Sequence, residues 1–97
     1  MTSYDIRLAP DALADLEEIH AQVEDRILAA IAALARHPGR GTHPPELLAL
    51  GVREYRETFF KPYRIIYSVQ AARVDVYLIA DGRRDMQALL ARRLLGA

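Results

Sequence analysis

The chain has 97 residues, of which 52% are hydrophobic and 27% charged, and it contains no cysteine. This length fits one domain with a modest core, the apolar content excludes a disordered chain, and the lack of cysteine excludes disulfides and thiolate clusters. The formal net charge is zero, yet residues 1–50 carry four Arg against eight Asp/Glu, while residues 51–97 carry eight Arg and Lys61 against five Asp/Glu. That asymmetry is read either as ordinary surface charge in an Arg-biased chain or as the footprint of an anionic partner.

Tyr4 to Leu8 alternates in polarity and predicts a short strand. Pro10 suits the first turn of a following helix, and Asp11 is favourable near its positive end. Leu13, Leu16, Ile19, Val23, Ile27, Ala30, Ile31 and Leu34 then recur at helical spacing. One helix of about 25 residues would span about 37 Å, longer than a domain of this size is wide. A helical hairpin breaking near His20-Ala21-Gln22 is therefore expected, ended by His37-Pro38-Gly39. Residues 38–51 read as a Pro/Gly loop with a short turn at Pro45–Leu50.

Three strands are expected next, over Val52–Phe60, Tyr63–Val69 and Arg73–Ala80. Lys61-Pro62 and Gln70-Ala71-Ala72 are short enough for hairpins, which makes these strands antiparallel neighbours. Asp85 is placed to cap a last helix carrying Met86, Leu89, Leu90 and Leu94 on one face. The order β-α-α-β-β-β-α predicts an α+β fold in a single domain, 1–97. An antiparallel sheet would carry the N-terminal helical hairpin and the C-terminal helix, with the helices packed on one face. No apolar run approaches the roughly 18–20 residues of a membrane span. Met1-Thr2-Ser3-Tyr4-Asp5 lacks the basic start and apolar stretch of a secretion signal, so a cytoplasmic location is expected.

His20, His37 and His43 lack ligand spacing and do not predict a metal site, and no cofactor-binding loop is present. Ser68 lies within a strand with no His nearby in sequence and reads as structural. Tyr55/Phe59 and Tyr63/Tyr67 fall on alternate strand positions, which favours core and cross-strand packing over a base-stacking platform. Asp15, Glu17 and Glu18 read as a solvated helix face. The arginines carry more information, since a guanidinium holds carboxylate or phosphate through a planar fork and never loses its charge. If the strands pair as proposed, Arg56 and Arg64 share a sheet face bordered by Arg83 and Arg84, able to clamp phosphates or an acidic segment. The other reading has Arg64 paired with Glu54 or Glu57 inside the fold.

Ala12-Leu13-Ala14-Asp15-Leu16-Glu17-Glu18-Ile19, Leu34-Ala35-Arg36-His37-Pro38, Gly51-Val52-Arg53-Glu54-Tyr55-Arg56, Tyr63-Arg64-Ile65-Ile66-Tyr67 and Gly82-Arg83-Arg84-Asp85 stand in an order and spacing that resembles the RelE/ParE toxin superfamily. The resemblance covers nearly the whole chain. It implies a type II toxin–antitoxin module in which a bound antitoxin neutralises the toxin. RelE-like members cut messenger RNA on the ribosome, and ParE-like members block DNA gyrase. Carried over from the RelE-like pattern, Arg56, Arg64 and Arg84 match basic positions around the scissile phosphate. Thr58 stands where a second strand Lys would be, and Leu90 where a C-terminal Tyr would be. Neither replaces the missing chemistry. The tail from Gly82 to Leu95 looks more ParE-like, whereas the stretch from Asp15 to Pro38 is shorter than ParE-like members carry.

The resemblance therefore implies a ParE-like toxin that inhibits gyrase by binding, with no catalytic residue, metal or cofactor. Arg53, Arg56, Arg64, Arg83, Arg84, Arg92 and Arg93 would face the acidic or gyrase–DNA surface. Leu94 and Leu95 would add apolar contact, and an antitoxin segment that folds on binding would cover the same area, giving a toxin–antitoxin oligomer. The alternative is a ribosome-dependent endoribonuclease using Arg56, Arg64 and Arg84, with ribosome and messenger RNA as partners. A degenerate, non-toxic member is a third reading.

Overall fold

The computed structural model describes residues 3–96. Met1 and Thr2, the first two residues of the segment read for a secretion signal, lie outside them, as does Ala97. Four strands, β1 (Asp5–Leu8), β2 (Arg56–Phe60), β3 (Tyr63–Gln70) and β4 (Arg73–Asp81), form one sheet in the order β1-β4-β3-β2. β2, β3 and β4 are antiparallel neighbours, as expected. Ala71, in the β3–β4 turn, has φ 51°, the left-handed conformation that two-residue hairpins use to match strand twist.

β1 corrects the all-antiparallel expectation, because it pairs parallel with β4. The helices and hairpin between them supply the long crossover that a parallel pair requires, and the pairing sets Ile6 and Leu8 beside Val74 and Val76 on one aliphatic face. β2 starts at Arg56 rather than Val52. The Val52 amide is already bonded to Leu47 O, and Val52 and Tyr55 pack on the apolar cluster below, so this segment closes a helical turn instead of extending the strand.

The helical hairpin breaks where the length argument put it, into α1 (Pro10–Glu17) and α2 (Ala21–Ala33). No Gly or Pro is needed because His20 caps α2, its ring Nδ1 accepting from Gln22 N at 3.3 Å. Pro38–Arg40 then forms a 3-10 turn. Ala12, Leu16, Ile27, Ile31 and Leu34 are buried against Ile65, Tyr67, Val74, Val76 and Ile79.

On the opposite face lie α3 (Pro45–Leu48) and α4 (Met86–Leu94), the latter capped by Asp85, whose Oδ1 accepts from Ala88 N at 3.1 Å. Leu47, Met86, Leu89 and Leu90 cover Ile66, Leu78 and Ala80. Helices thus pack on both faces, not one. Ile65-Ile66-Tyr67, buried at three consecutive positions, leaves no face of β3 that water could wet. A register shift at Ile66/Tyr67 lets β4 turn Leu78 to one cluster and both Val76 and Ile79 to the other. Among the described residues no helix is long and apolar enough to cross a membrane.

The loop after α2 is tied to the sheet by the buried Tyr67. Its hydroxyl donates to Pro38 O at 2.6 Å and accepts from Gly41 N at 3.1 Å. A Cβ at Gly41 would sit 2.6 Å from Glu57 O and collide with that hydroxyl, so the close approach of loop to strand depends on glycine.

Candidate functional site

Arg64 projects from β3 on the α3/α4 face and is held between two carboxylates. Its two terminal nitrogens donate to the two oxygens of Glu46, on α3, at 2.7 Å each, and its Nε donates to Glu57 Oε1, on β2, at 2.7 Å. The side chains of Arg64, Glu46 and Glu57 are only 12%, 25% and 3% exposed. The bidentate bond to Arg64 holds the Glu46 carboxyl below its ordinary range. Burial pushes Glu57 up, against the pull of Arg64. A Cβ at Gly82 would lie 2.9 Å from Arg64 Cδ, so the arginine stem runs along the β4–α4 turn. Of the two readings left open for Arg64, internal pairing is present. Glu57 is the partner expected, and Glu46, on α3, is a second one that the sequence did not point to.

Arg56 lies across the sheet from Arg64. Arg56 pairs in register with Tyr67 and Arg64 with Phe59. Positions 64 and 67 are an odd number of residues apart, so they point to opposite faces. The expected shared face is therefore corrected. Arg56 instead turns toward the 3-10 turn, where one terminal nitrogen donates to Gly41 O at 2.8 Å and Gly39 O at 3.4 Å. With the exposed Arg53 and with His43, it lines an open groove of about 450 Å³.

The remaining candidates divide in the same way. Arg93, on α4, forks onto Asp15 at 3.1 and 2.8 Å, donates to Tyr77 O at 3.2 Å and lies 3.6 Å from Asp11. Asp15 also accepts from Ile79 N at 3.0 Å. Asp15 is therefore not on a solvated face; it joins α1 to β4 and α4. Arg83 is exposed and pairs with its neighbour Asp81 at 2.6 Å, which holds that carboxyl down to about 2. Arg84 is exposed beside a shallow cleft that also carries Asp15, Glu18, Tyr63 and Asp81. Arg92 and Leu95 are exposed, and Leu94 is half-buried on the α3/α4 cluster.

Arg53 and Arg56 also lie at the opposite end of the strands from Arg83 and Arg84, since Arg56 pairs with Tyr67 while Tyr63 pairs with Asp81. The seven arginines consequently do not form one surface. Carboxylates from the first half of the chain, Glu46, Asp11 and Asp15, fold back over the sheet and take up Arg64 and Arg93. Leu90 is fully buried in the core, and Thr58 lines a smaller hollow of about 180 Å³ with His37 and Arg40.

Two cations absent from the sequence-based set stand beside the 3-10 turn, Arg40 lining the smaller hollow. Arg36 and Arg40 are exposed on either side of Pro38-Gly39. The signal was there in sequence, two arginines flanking a helix stop, but Arg56, which bonds to the same turn, is far away along the chain. Tyr55 and Tyr77 pack edge to face with centroids 5.6 Å apart, and Ser68 is buried with its hydroxyl 3.4 Å from that of Tyr77. Among the described residues no three His, Asp or Glu side chains gather as a metal cluster.

Solved structures share this architecture. The toxin–antitoxin complex RelBE2 of Mycobacterium tuberculosis contains a chain 20% identical, with a TM-score of 0.70, matched over 84% of this chain and 93% of that one. A mutant E. coli RelE toxin in the free state is 12% identical with a TM-score of 0.72, over 95% and 98%. The isolated E. coli RelE toxin is 13% identical with a TM-score of 0.66, over 95% and 99%. At these identities the likeness is one of fold. Comparison with curated proteins gives no match. The family model of the ParE toxin of type II toxin-antitoxin system, parDE, matches residues 6–86, most of the chain, and the chain therefore belongs to the ParE toxin family.

Proposed function

We propose that this toxin acts by binding and inhibiting DNA gyrase, and that a cognate antitoxin holds it silent. The observation that supports the choice is the buried pairing of Arg64 with both Glu46 and Glu57, which takes three of its five N–H donors. A guanidinium already paired with two carboxylates has its charge compensated, and a scissile phosphodiester brought beside it would meet those carboxylates or have to displace a largely buried ion pair. Arg56, Arg64 and Arg84, the trio of the nuclease reading, lie on different faces and at different ends of the sheet. Leu90 offers no proton and is buried. Inhibition by binding needs none of these chemical roles, no metal and no cofactor.

In this reading the target is contacted at two separate places, by Arg53 and Arg56 at one end of the strands and by Arg83 and Arg84 at the other, with Arg92 and Leu95 adding contact from α4. Arg64, Arg93 and Leu94 set the framework that presents them. The antitoxin would cover part of the same surface in an oligomeric complex, as the M. tuberculosis toxin-antitoxin complex RelBE2 suggests by analogy. Gyrase as target places the toxin in the cytoplasm. The test sets gyrase supercoiling against messenger RNA integrity in a translating extract, with the purified chain titrated into both. The expected result is arrested supercoiling with intact message. Untouched gyrase at large excess, together with cut message, overturns the proposal in favour of the ribosome-dependent nuclease.

A further inference from the structure

We infer that the 3-10 turn Pro38–Arg40 is the centre of a phosphate-backbone binding surface, and that its occupant is duplex DNA. Arg40 ends the turn and Arg36 stands two residues before it, Arg56 is bonded to its carbonyl Gly39 O and to Gly41 O, and Arg53 lines the groove beside it. Among the described residues Arg36, Arg40 and Arg53 enter no ion pair, and all three are exposed. Arg56 is oriented by backbone carbonyls, which fix the guanidinium without neutralising its charge. His43 is oriented too, its Nδ1 donating to Tyr55 O at 3.1 Å. The one carboxylate lining either hollow beside the turn is Glu54. Three guanidiniums, of Arg40, Arg53 and Arg56, thus line the two hollows against one carboxylate, with Arg36 exposed just before the turn, while the arginines of β3 and α4 that face the carboxylates of α1 and α3 are neutralised. An unbalanced field of this kind attracts a polyanion.

The surface chemistry favours a phosphodiester backbone over an acidic peptide. A docking peptide takes most of its affinity from apolar anchors seated in pockets. The larger groove is lined mainly by polar and charged side chains, the smaller hollow offers only the small apolar seat of Ala30, Ala33 and Leu34, and none of the large exposed apolar side chains, Leu13, Leu28, Leu48, Leu50, Phe59 and Leu95, lines either. Phosphate contacts need guanidinium and no anchor. The turn is also a ridge between two open hollows, so it offers no enclosed seat to a single nucleotide. The choice of DNA over RNA rests on the gyrase reading, in which duplex DNA is part of the target complex.

The test is binding of a fluorescein-labelled duplex to the full chain, followed by anisotropy across a potassium chloride series. Four phosphate contacts give a plot of log affinity against log salt with a slope of about −3 to −4. Arg40→Ala and Arg53→Ala should each reduce that slope by about one. The triple variant Arg36→Ala/Arg40→Ala/Arg53→Ala should weaken binding at least about tenfold at low salt. Arg26→Ala, exposed on α2 roughly 15 Å along the chain from Arg36, should change neither. Thermal melts of the variants should match the parent, since the altered side chains are exposed. Absence of duplex binding, or a slope unmoved in the triple variant, overturns the inference. So does tighter binding of an oligoribonucleotide of equal length, or of polyglutamate, through the same arginines. Supercoiling assays separate this surface from the function proposed above. A triple variant that loses the duplex yet inhibits gyrase fully overturns the role of the surface and leaves the gyrase reading standing. A parent chain that binds duplex through these arginines and leaves gyrase untouched does the reverse.

Discussion

Arg64 and Arg56 stand on adjacent strands, and their surroundings could hardly differ more. Arg64 sits under α3 with all its hydrogen bonds directed to Glu46 and Glu57, whereas Arg56 leans on two backbone carbonyls at the edge of an open groove. The first arrangement consumes charge, because taking a guanidinium out of water is tolerable only beside a carboxylate. The second keeps charge available, because neutral carbonyls orient the group and leave its field intact. The charge asymmetry between the halves of the chain is thus partly an internal code. Acidic groups of the first half are matched to arginines of the second, and Arg36, Arg40, Arg53 and Arg56, near the 3-10 turn in chain or in space, are among the cations left without an ion pair.

Breaking the network is the sharpest test of this contrast. Arg64→Met should cost about 3 kcal/mol in urea unfolding, because it leaves Glu57 buried without its partner, while Arg53→Ala should stay within about 0.5 kcal/mol of the parent. Equal losses at the two sites would erase the distinction. Gly41→Ala should cost about 2 kcal/mol, since a methyl group would force the loop away from Tyr67 and Glu57 O; a melt indistinguishable from the parent would mean the loop is free to move. Asp15→Asn should cost about 1–2 kcal/mol by weakening the Arg93 fork, and proteolysis should then release the α4 end sooner.

The smallest effect is a pH signature. Glu46 is held below its ordinary value of 4.5, so its contribution is complete above that pH and is lost as pH falls through the folded value. Glu57 is raised from the same value by burial, so its share has the opposite sign, complete below that pH and lost as pH rises through the raised folded value. Glu46→Gln should flatten the acid limb of the stability profile, and Glu57→Gln should steepen it. Identical limbs in the two variants would show that the carboxylates are equivalent.

Much of the molecule can be read from local pattern. Periodicity located the helices and the β2–β4 hairpins, and chain length against domain width placed the break that His20 caps. Asp85 was recognisable as a cap because capping is a contact between residues three apart. The parallel β1–β4 pairing, the second helical face and the late start of β2 were not legible, since each depends on segments that meet only after the crossover is made.

The site divides along the same line. Residue type and order along the chain by themselves determined the family resemblance, the element sequence and the richness in arginine. Tertiary structure alone decided which arginines are free. A strand's alternation sends Arg56 and Arg64 to opposite faces, and the fold brings Asp15 to Arg93, Glu46 to Arg64, and the carbonyls of Gly39 and Gly41 to Arg56. The reason is physical. The fate of a charge is set by its burial and by what lies within a few ångströms, and those neighbours come from distant parts of the chain.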